Sequence, residues 1–455
     1  WGEGWQYGPS SVLEYASAAS ALESGGASLP LFDQWAGELA LRDVYATTPP
    51  GDAIFCGNGD CDITTANNEP NVNELDAVLV GHSSDQAASW AAAAKSSQGL
   101  KSGTYVYNAL AEARAVTPAD YAKQNPAPPL WYLARGTRQM YARTAWNDPN
   151  AFWGVFMSEP QLNSDHQHFA ASNFVFSRGA DDLVVDPSPY GGPATFETNA
   201  LSVDAGNLSG DYAMTQTPWS KAELLWARAT SDATFAARAD IAHAFDFNSP
   251  QTASDVTYAH REWTMLPEGE VVLIDRAHTS AAGRDMFVTL HTNTGGGGLV
   301  ASNGAYAGTV GGSKVVIHPV HLSGGTPSVS VPAIFNGSCS ISCSYPCGKC
   351  TDTRFKVDAY EVSVPGTWAV AVHVIDGLAT SDAAPTVLSI DDPSVDPSAQ
   401  NGGVVGASVL RNGKQSYVVA SSAVDGAAGA TMTYGVPSAT ASRHVVYDAP
   451  EAQDG

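Results

Sequence analysis

Apolar residues are spaced in two ways along this chain. Up to about residue 136 they recur at near-helical intervals, as on a helix with one buried side. The run SSVLEYASAASALES opens on Ser10, a residue type that caps helix N-termini, and continues rich in Ala and Leu. In LPLFDQWAGELALRDVY, Leu31, Trp35, Leu39 and Leu41 fall close to one helical face. NVNELDAVLVGHSSDQAASWAAAAKS reads as one or two helices, and ALAEARAV and LWYLARGTRQMYA read the same way. Turns rich in Pro and Gly, such as TTPPGDA, separate them.

From about residue 140 the period becomes two. AFWGVFM, SNFVFS, DLVVD, EVVLIDRA, DMFVTLHT, SKVVIHPVHL, RFKVDAYEVSV and TWAVAVHVI are β-rich segments divided by Gly, Asp, Asn and Pro turns. Helices first and strands afterwards predict an α+β chain: a helical domain over 1–139 and a large antiparallel β-sandwich over 140–455. TNTGGGG (292–298) reads as a flexible loop, since it lacks the strand-to-helix context of a nucleotide-binding GxGxxG.

Composition narrows the partners. With 46 acidic and 22 basic residues the 455-residue chain carries a net charge of −24, which argues against nucleic acid, whose phosphates need a basic face. No apolar run reaches the length of a membrane span. The chain opens on Trp1 without an initiator Met, which suggests a processed mature protein or a piece of a longer precursor. Six cysteines lie in two groups, Cys56 and Cys61, and Cys339, Cys343, Cys347 and Cys350. They read as three disulfides of a secreted or periplasmic protein; the four clustered thiols could instead hold a structural zinc, and the spacing does not fix the pairing.

The segment SDHQHFAASNFVFSRGADDLVVDPSPYGG (164–192) carries the densest chemistry. On a strand His166 and His168 would project from one face, and a turn at Arg178–Gly179 would return Asp186 close to them. Imidazole titrates near neutrality, so the pair suits proton transfer or metal binding, with solvated surface histidines as the bland alternative.

Residues 142–191 resemble the central block of the heparinase II/III-like polysaccharide lyases, in which an Arg-bearing strand precedes a D-H-x-H strand, a hairpin and a V-D-P-G-x-Y turn. GEGWQYG (2–8), YATTPPGDAIFCGNGD (45–60), FETNALSVDAGN (196–207) and HREWTMLPEGEVVLIDRA (260–277) are similar to further motifs of that family, in the family's order. The resemblance implies a portion of an (α/α)-toroid followed by the β-sandwich, and cleavage of a uronic-acid polysaccharide of the glycosaminoglycan, alginate or glucuronan type by β-elimination. It implies His166 and Tyr45 as the catalytic acid–base pair, Glu3, Arg143 and Tyr190 as substrate-binding residues, and no required cofactor. His168 and Asp186 match two zinc ligands of zinc-bearing members. Thr198 stands where the third ligand histidine would be, and His243, His260 and His278 are the alternatives for that place. A polyanionic substrate meeting an acidic protein needs a local basic strip, for which Arg135, Arg138, Arg143, Arg178 and Arg261 are the candidates. Two other functions compete: a carbohydrate-binding protein that keeps the fold without turnover, and a glycosidase using paired carboxylates.

Overall fold

The structure is a computed structural model that describes residues 8–51, 55, 57, 59, 79–80, 84–98, 115–162, 166–187, 195–204, 216–217, 220–246, 256–280, 284–332, 357–391, 404–421 and 442–446. Glu3, Tyr190 and all six cysteines lie outside the described residues. Among these residues, three α-helices precede a large body of mainly antiparallel strands. No helix among them is long and apolar enough to cross a membrane.

Helix α1 spans Gly8–Ser24 and α2 spans Pro30–Ala46. Gly26, at φ 93°, ends α1: its N–H donates to Glu23 O at 2.8 Å and the Ala27 N–H reaches back to Leu22 O at 3.0 Å. This is the Schellman stop, which needs a residue free to adopt positive φ. Pro30 then starts α2, where its missing N–H costs nothing. Helix α3 spans Asp85–Gln98 and packs on α2.

The stretch LWYLARGTRQMYA is a β-hairpin, Trp131–Ala134 paired with Gln139–Arg143, and not the helix its composition suggests. Two cores on opposite sides of the strands decide this. Trp131, Leu133, Met140 and Ala142 face the sandwich interior, whereas Tyr132, Ala134 and Tyr141 face the helices. Only a period of two serves both faces at once.

That hairpin begins a nine-stranded sheet, which continues in order through Phe152–Met157, Phe174–Arg178, Asp181–Val184, Met286–Thr292, Asp358–Val364 and Ser328–Ser330, with Leu201–Val203 paired beside Met286–Thr292. An eight-stranded sheet faces it, in the order Val300–Ser302, Ala305–Val310, Ser313–Leu322, Trp368–Ala379, Glu270–Thr279, Val256–Met265, Phe235–Asp240 and Glu223–Ala229. Phe156, Phe174 and Phe176 from the first meet Trp263, Leu273 and Ile375 from the second. A Cβ at Gly154 would lie 3.2 Å from the Trp263 ring and 3.3 Å from Met265 Sδ, so the glycine makes room for the indole. A four-stranded sheet of Thr386–Asp391, Val404–Arg411, Lys414–Ser421 and Ser442–Val446 follows, and its first three strands pack on the outer face of the eight-stranded sheet. The layers are therefore helices, sheet, sheet and sheet.

The glycine-rich run 292–298 wraps a buried carboxylate. Asp358 Oδ2 accepts from Thr294 Oγ1 at 2.5 Å, from the Gly298 N–H at 3.0 Å and from the Leu299 N–H at 3.2 Å, while Oδ1 accepts from the Gly297 N–H. Glycines let the backbone amides converge on one side chain, which accounts for the composition without flexibility.

Candidate functional site

His166 and His168 are not on a strand. They belong to a loop between Gln161–Leu162 and Phe174–Arg178, in which two of the seven non-glycine residues with positive φ among the described residues occur, His166 at 60° and Ser172 at 72°. Left-handed backbone at a non-glycine residue costs energy, and it persists where the surroundings fix it. Here they do so densely. The Ser172 N–H donates to Met157 O at 2.7 Å, and the Ala171 N–H donates to Gln216 Oε1 at 2.8 Å, with Gln216 Nε2 returning to Ala171 O at 2.8 Å. Thr195 Oγ1 donates to Phe169 O at 2.5 Å. Gln167 pairs with Gly59 in an isolated antiparallel bridge, which ties the GNGD stretch to the histidine loop. His166 is left half-buried, and His168 is buried.

Two asparagines hold the far side of the loop, and nothing in the sequence had marked them for it. Asn173 Oδ1 accepts the N–H groups of Phe174 and Asn199 at 2.8 and 3.0 Å, so its Nδ2 is the donor to Asp186 Oδ2 at 2.7 Å. Asn199 Nδ2 donates to Phe174 O and Val185 O, and its Oδ1 accepts the His291 N–H at 2.7 Å. His291 is buried behind the loop, and burial pushes its pKa down to about 3, so it is neutral. The hairpin turn lies at Gly179, at φ 56°, and brings Asp186 back to Asn173.

The zinc expectation does not fit these donors. Among the described residues no group of three His, Cys, Asp or Glu side chains gathers closely enough to hold a metal ion. Asp186 is engaged by the Asn173 amide, and Thr198 donates its Oγ1 to Thr195 O at 2.8 Å. The alternative histidines are engaged elsewhere: His243 with Asp246 at 2.8 Å, His260 with Asp240 at 3.3 Å and His278 with Thr257 at 2.6 Å.

Tyr45 sits at the end of α2, buried among aromatic rings. It stacks on Tyr132 at 5.4 Å and meets Tyr121 and Trp146 edge-on at 5.6 and 5.3 Å. Its hydroxyl donates to Pro129 O at 2.7 Å and lies 2.9 Å from Tyr121 Oη. Burial and then the bond to Tyr121 raise its pKa far above the ordinary phenol value. This is a packing tyrosine with its hydroxyl committed, which corrects its expected place as an open catalytic phenol.

Arg143 is also a correction. It is 5% exposed, donates to Thr47 O at 2.7 Å and lies 3.9 Å over the Trp146 ring. It anchors the chain leaving α2 and does not face a ligand. The expected basic strip disperses further: Arg261 is fully buried against Asp275 at 2.6 Å, and Arg178 donates to Ser313 Oγ at 3.2 Å. Arg135 and Arg138, on the turn of the Trp131–Arg143 hairpin, remain exposed.

A chain of polar groups crosses the boundary between helices and sheet. Arg42 Nε donates to Tyr141 Oη at 3.2 Å, Tyr141 Oη donates to Gln139 Oε1 at 2.5 Å, and Gln139 Nε2 donates to Glu159 Oε1 at 3.0 Å. Arg42 Nη2 also donates to Phe55 O at 2.8 Å. A cavity of about 710 Å³ opens beside this chain, between α1, α2 and the hairpin, with Trp35, Arg42, Tyr132, Arg135 and Gln139 in its walls. A Cβ on Gly57 would lie 3.5 Å from Gln139 Nε2, so the inner end of the cavity approaches the stretch whose Gly59 pairs with the histidine loop.

This layered order of helices, nine-stranded sheet and eight-stranded sheet has counterparts among solved structures. The heparan sulfate lyase HepC of Pedobacter heparinus matches over 91% of this chain and 58% of its own, with a TM-score of 0.60 at 14% identity. The fold is that of a heparinase-like polysaccharide lyase. A heparinase III structure matches over 91% of this chain and 59% of its own, with a TM-score of 0.57 at 12% identity. The chain thus spans somewhat over half the length of these lyases. No family profile matches the sequence, and no curated protein does.

Proposed function

We propose that the protein is a polysaccharide lyase that cleaves a uronic-acid-containing chain by β-elimination, with His166 as its proton-transfer group. The helices among the described residues are read as the closing part of an (α/α)-toroid, and the neighbouring lyases make an anionic polysaccharide the natural substrate. The observation that carries the residue assignment is the backbone of the histidine loop. A half-buried imidazole is held at positive φ while amide clamps fix the stretch that follows it, so energy is spent on its placement.

In the reaction His166 takes the C5 proton of the uronate, whose acidity requires that its carboxylate be neutralised by hydrogen bonds or a cation. The C5–H electron pair forms the C4–C5 double bond, the C4–O4 bond breaks, and O4 receives a proton. Because the Tyr45 hydroxyl is committed to Pro129 and Tyr121, the same imidazolium serves as the acid when proton and leaving oxygen share one face of the ring. No step runs through a metal. Export to the cell exterior or periplasm, expected from the cysteines, would bring the enzyme to such polymers.

Incubation with a panel of uronic-acid polymers is the test, read as unsaturated product absorbing in the near ultraviolet. The expected outcome is product from at least one polymer, with His166→Ala slowing its release about a thousandfold while the fold is retained. Tight oligouronate binding without product at any pH would instead establish the second reading, a carbohydrate-binding protein on a lyase fold. That reading is favoured by the closed hydroxyl of Tyr45.

A further inference from the structure

We propose that the cavity between α2 and the Trp131–Arg143 hairpin binds a uronate ring of the substrate, the indole of Trp35 taking the ring face and Arg135 taking the carboxylate. The proposal rests on the lyase reading for the identity of the sugar and adds where the ring sits and what reads its charge. The volume of about 710 Å³ falls in the ordinary range of small-ligand sites, roughly 300–1,000 Å³. From Trp35 to Arg42 the cavity follows α2 for about 10 Å, at 1.5 Å of helix rise per residue.

The walls have the chemistry of a sugar carboxylate site. Trp35 remains 38% exposed, an uncommon cost for an indole unless something covers it. Tyr132 presents a ring that cannot turn, because its hydroxyl donates to Glu38 Oε2 at 2.6 Å and the ring stacks against Tyr45 and Tyr141. That bond also occupies the Glu38 carboxylate. Arg42, held by Tyr141 and Phe55, closes the inner end, and Arg135 at the mouth is exposed, with no hydrogen bond or ion pair among the described residues. Arg42 has the buried Asp43 carboxylate beside it and Glu38 is engaged by Tyr132, so the exposed Arg135 supplies the cation of this recess in a protein of net charge −24. At physiological salt the repulsion from the remaining surface is screened over roughly 8 Å, so this local charge governs the last approach. Gln139 at the inner end joins the recess to the stretch that pairs with the histidine loop.

Calorimetric titration with an unsulfated oligoglucuronate and with its carboxyl-reduced neutral counterpart tests the proposal. The wild type is expected to bind the carboxylated form about tenfold more tightly. Arg135→Glu, a change at an exposed turn, should erase that preference, and Trp35→Ala should weaken both ligands about tenfold. Equal affinities in the wild type and both cavity variants would overturn the assignment. Product release, followed separately, distinguishes the two claims. Chromophore formed with unaltered binding in the cavity variants removes the cavity and keeps the lyase, and altered binding without chromophore does the reverse.

Discussion

Between α2 and the nine-stranded sheet the contact is aromatic and directional; between the eight-stranded and four-stranded sheets it is mainly aliphatic, with Tyr258 and Trp368 in the same cluster. At the first boundary Trp153 Nε1 donates to Tyr45 O at 2.9 Å, Trp146 Nε1 to Pro129 O at 3.1 Å, and Tyr132 to Glu38. At the second, Val272, Ile274, Val370, Val372 and Val374 meet Val405, Ala407, Val409, Val418 and Ala420. Arg411 bonds Glu270 and Asp382 at 3.3 Å each, and Lys414 bonds Glu268 at 2.8 Å. Large rings fixed by directional bonds hold two layers in one orientation yet leave space between them. Small aliphatic side chains have no such restriction and fill the gap. The cavity beside Trp35 and Arg135 lies at the aromatic boundary.

The strongest way to break this comparison is Trp153→Ala. It removes a buried indole and its bond to α2, and should cost about 3–5 kcal/mol, measured by urea unfolding. A smaller loss would mean that the helices are not locked to the sheet as described.

Glu270 sharpens the other side. Burial first, and the adjacent Asp376 next, raise its pKa from 4.5 to about 7 against the opposing pull of Arg411, with Glu268 adding to the rise. The folded state therefore keeps a proton that the unfolded chain releases above 4.5. The stability this contributes is complete below that value and lost as the pH rises through about 7. Glu270→Gln should flatten the fall in unfolding midpoint across that window, and an unchanged slope would assign it to other groups.

Tyr45→Phe should cost about 1 kcal/mol and leave product formation within a few fold, since a hydroxyl bonded to Pro129 O is structural. Loss of activity with intact stability would return Tyr45 to the chemistry. The smallest effect is expected from a strong chelator, which should leave the thermal midpoint unchanged. Asn173→Ala should lower that midpoint, because its amide donates to Asp186 Oδ2 at 2.7 Å.

Much of the β portion could be read directly, since alternation of apolar residues is a local property that the two-faced sheets enforce. Asn303-Gly304 and Asn412-Gly413 are both at positive φ between paired strands, the backbone that two-residue hairpin turns require. The Trp131–Arg143 hairpin was obscured because its two faces are both apolar, so no alternation with polar residues shows. The histidine pair was visible by type and spacing but not by geometry. Its shape depends on Gln216 and Asn199, which are distant in sequence and approach the loop only in the fold.

The sequence alone determined where the chain alternates and that it turns at Arg178–Gly179, because backbone preference and period act over a few residues. The tertiary structure decided which charges are open. Arg143 and Arg135 are both arginines of one hairpin, but the first is buried under Trp146 and bonded to the end of α2, and the second stands exposed at the mouth of a cavity. Burial is set by whichever segments pack on a residue from elsewhere, and no local pattern records their identity.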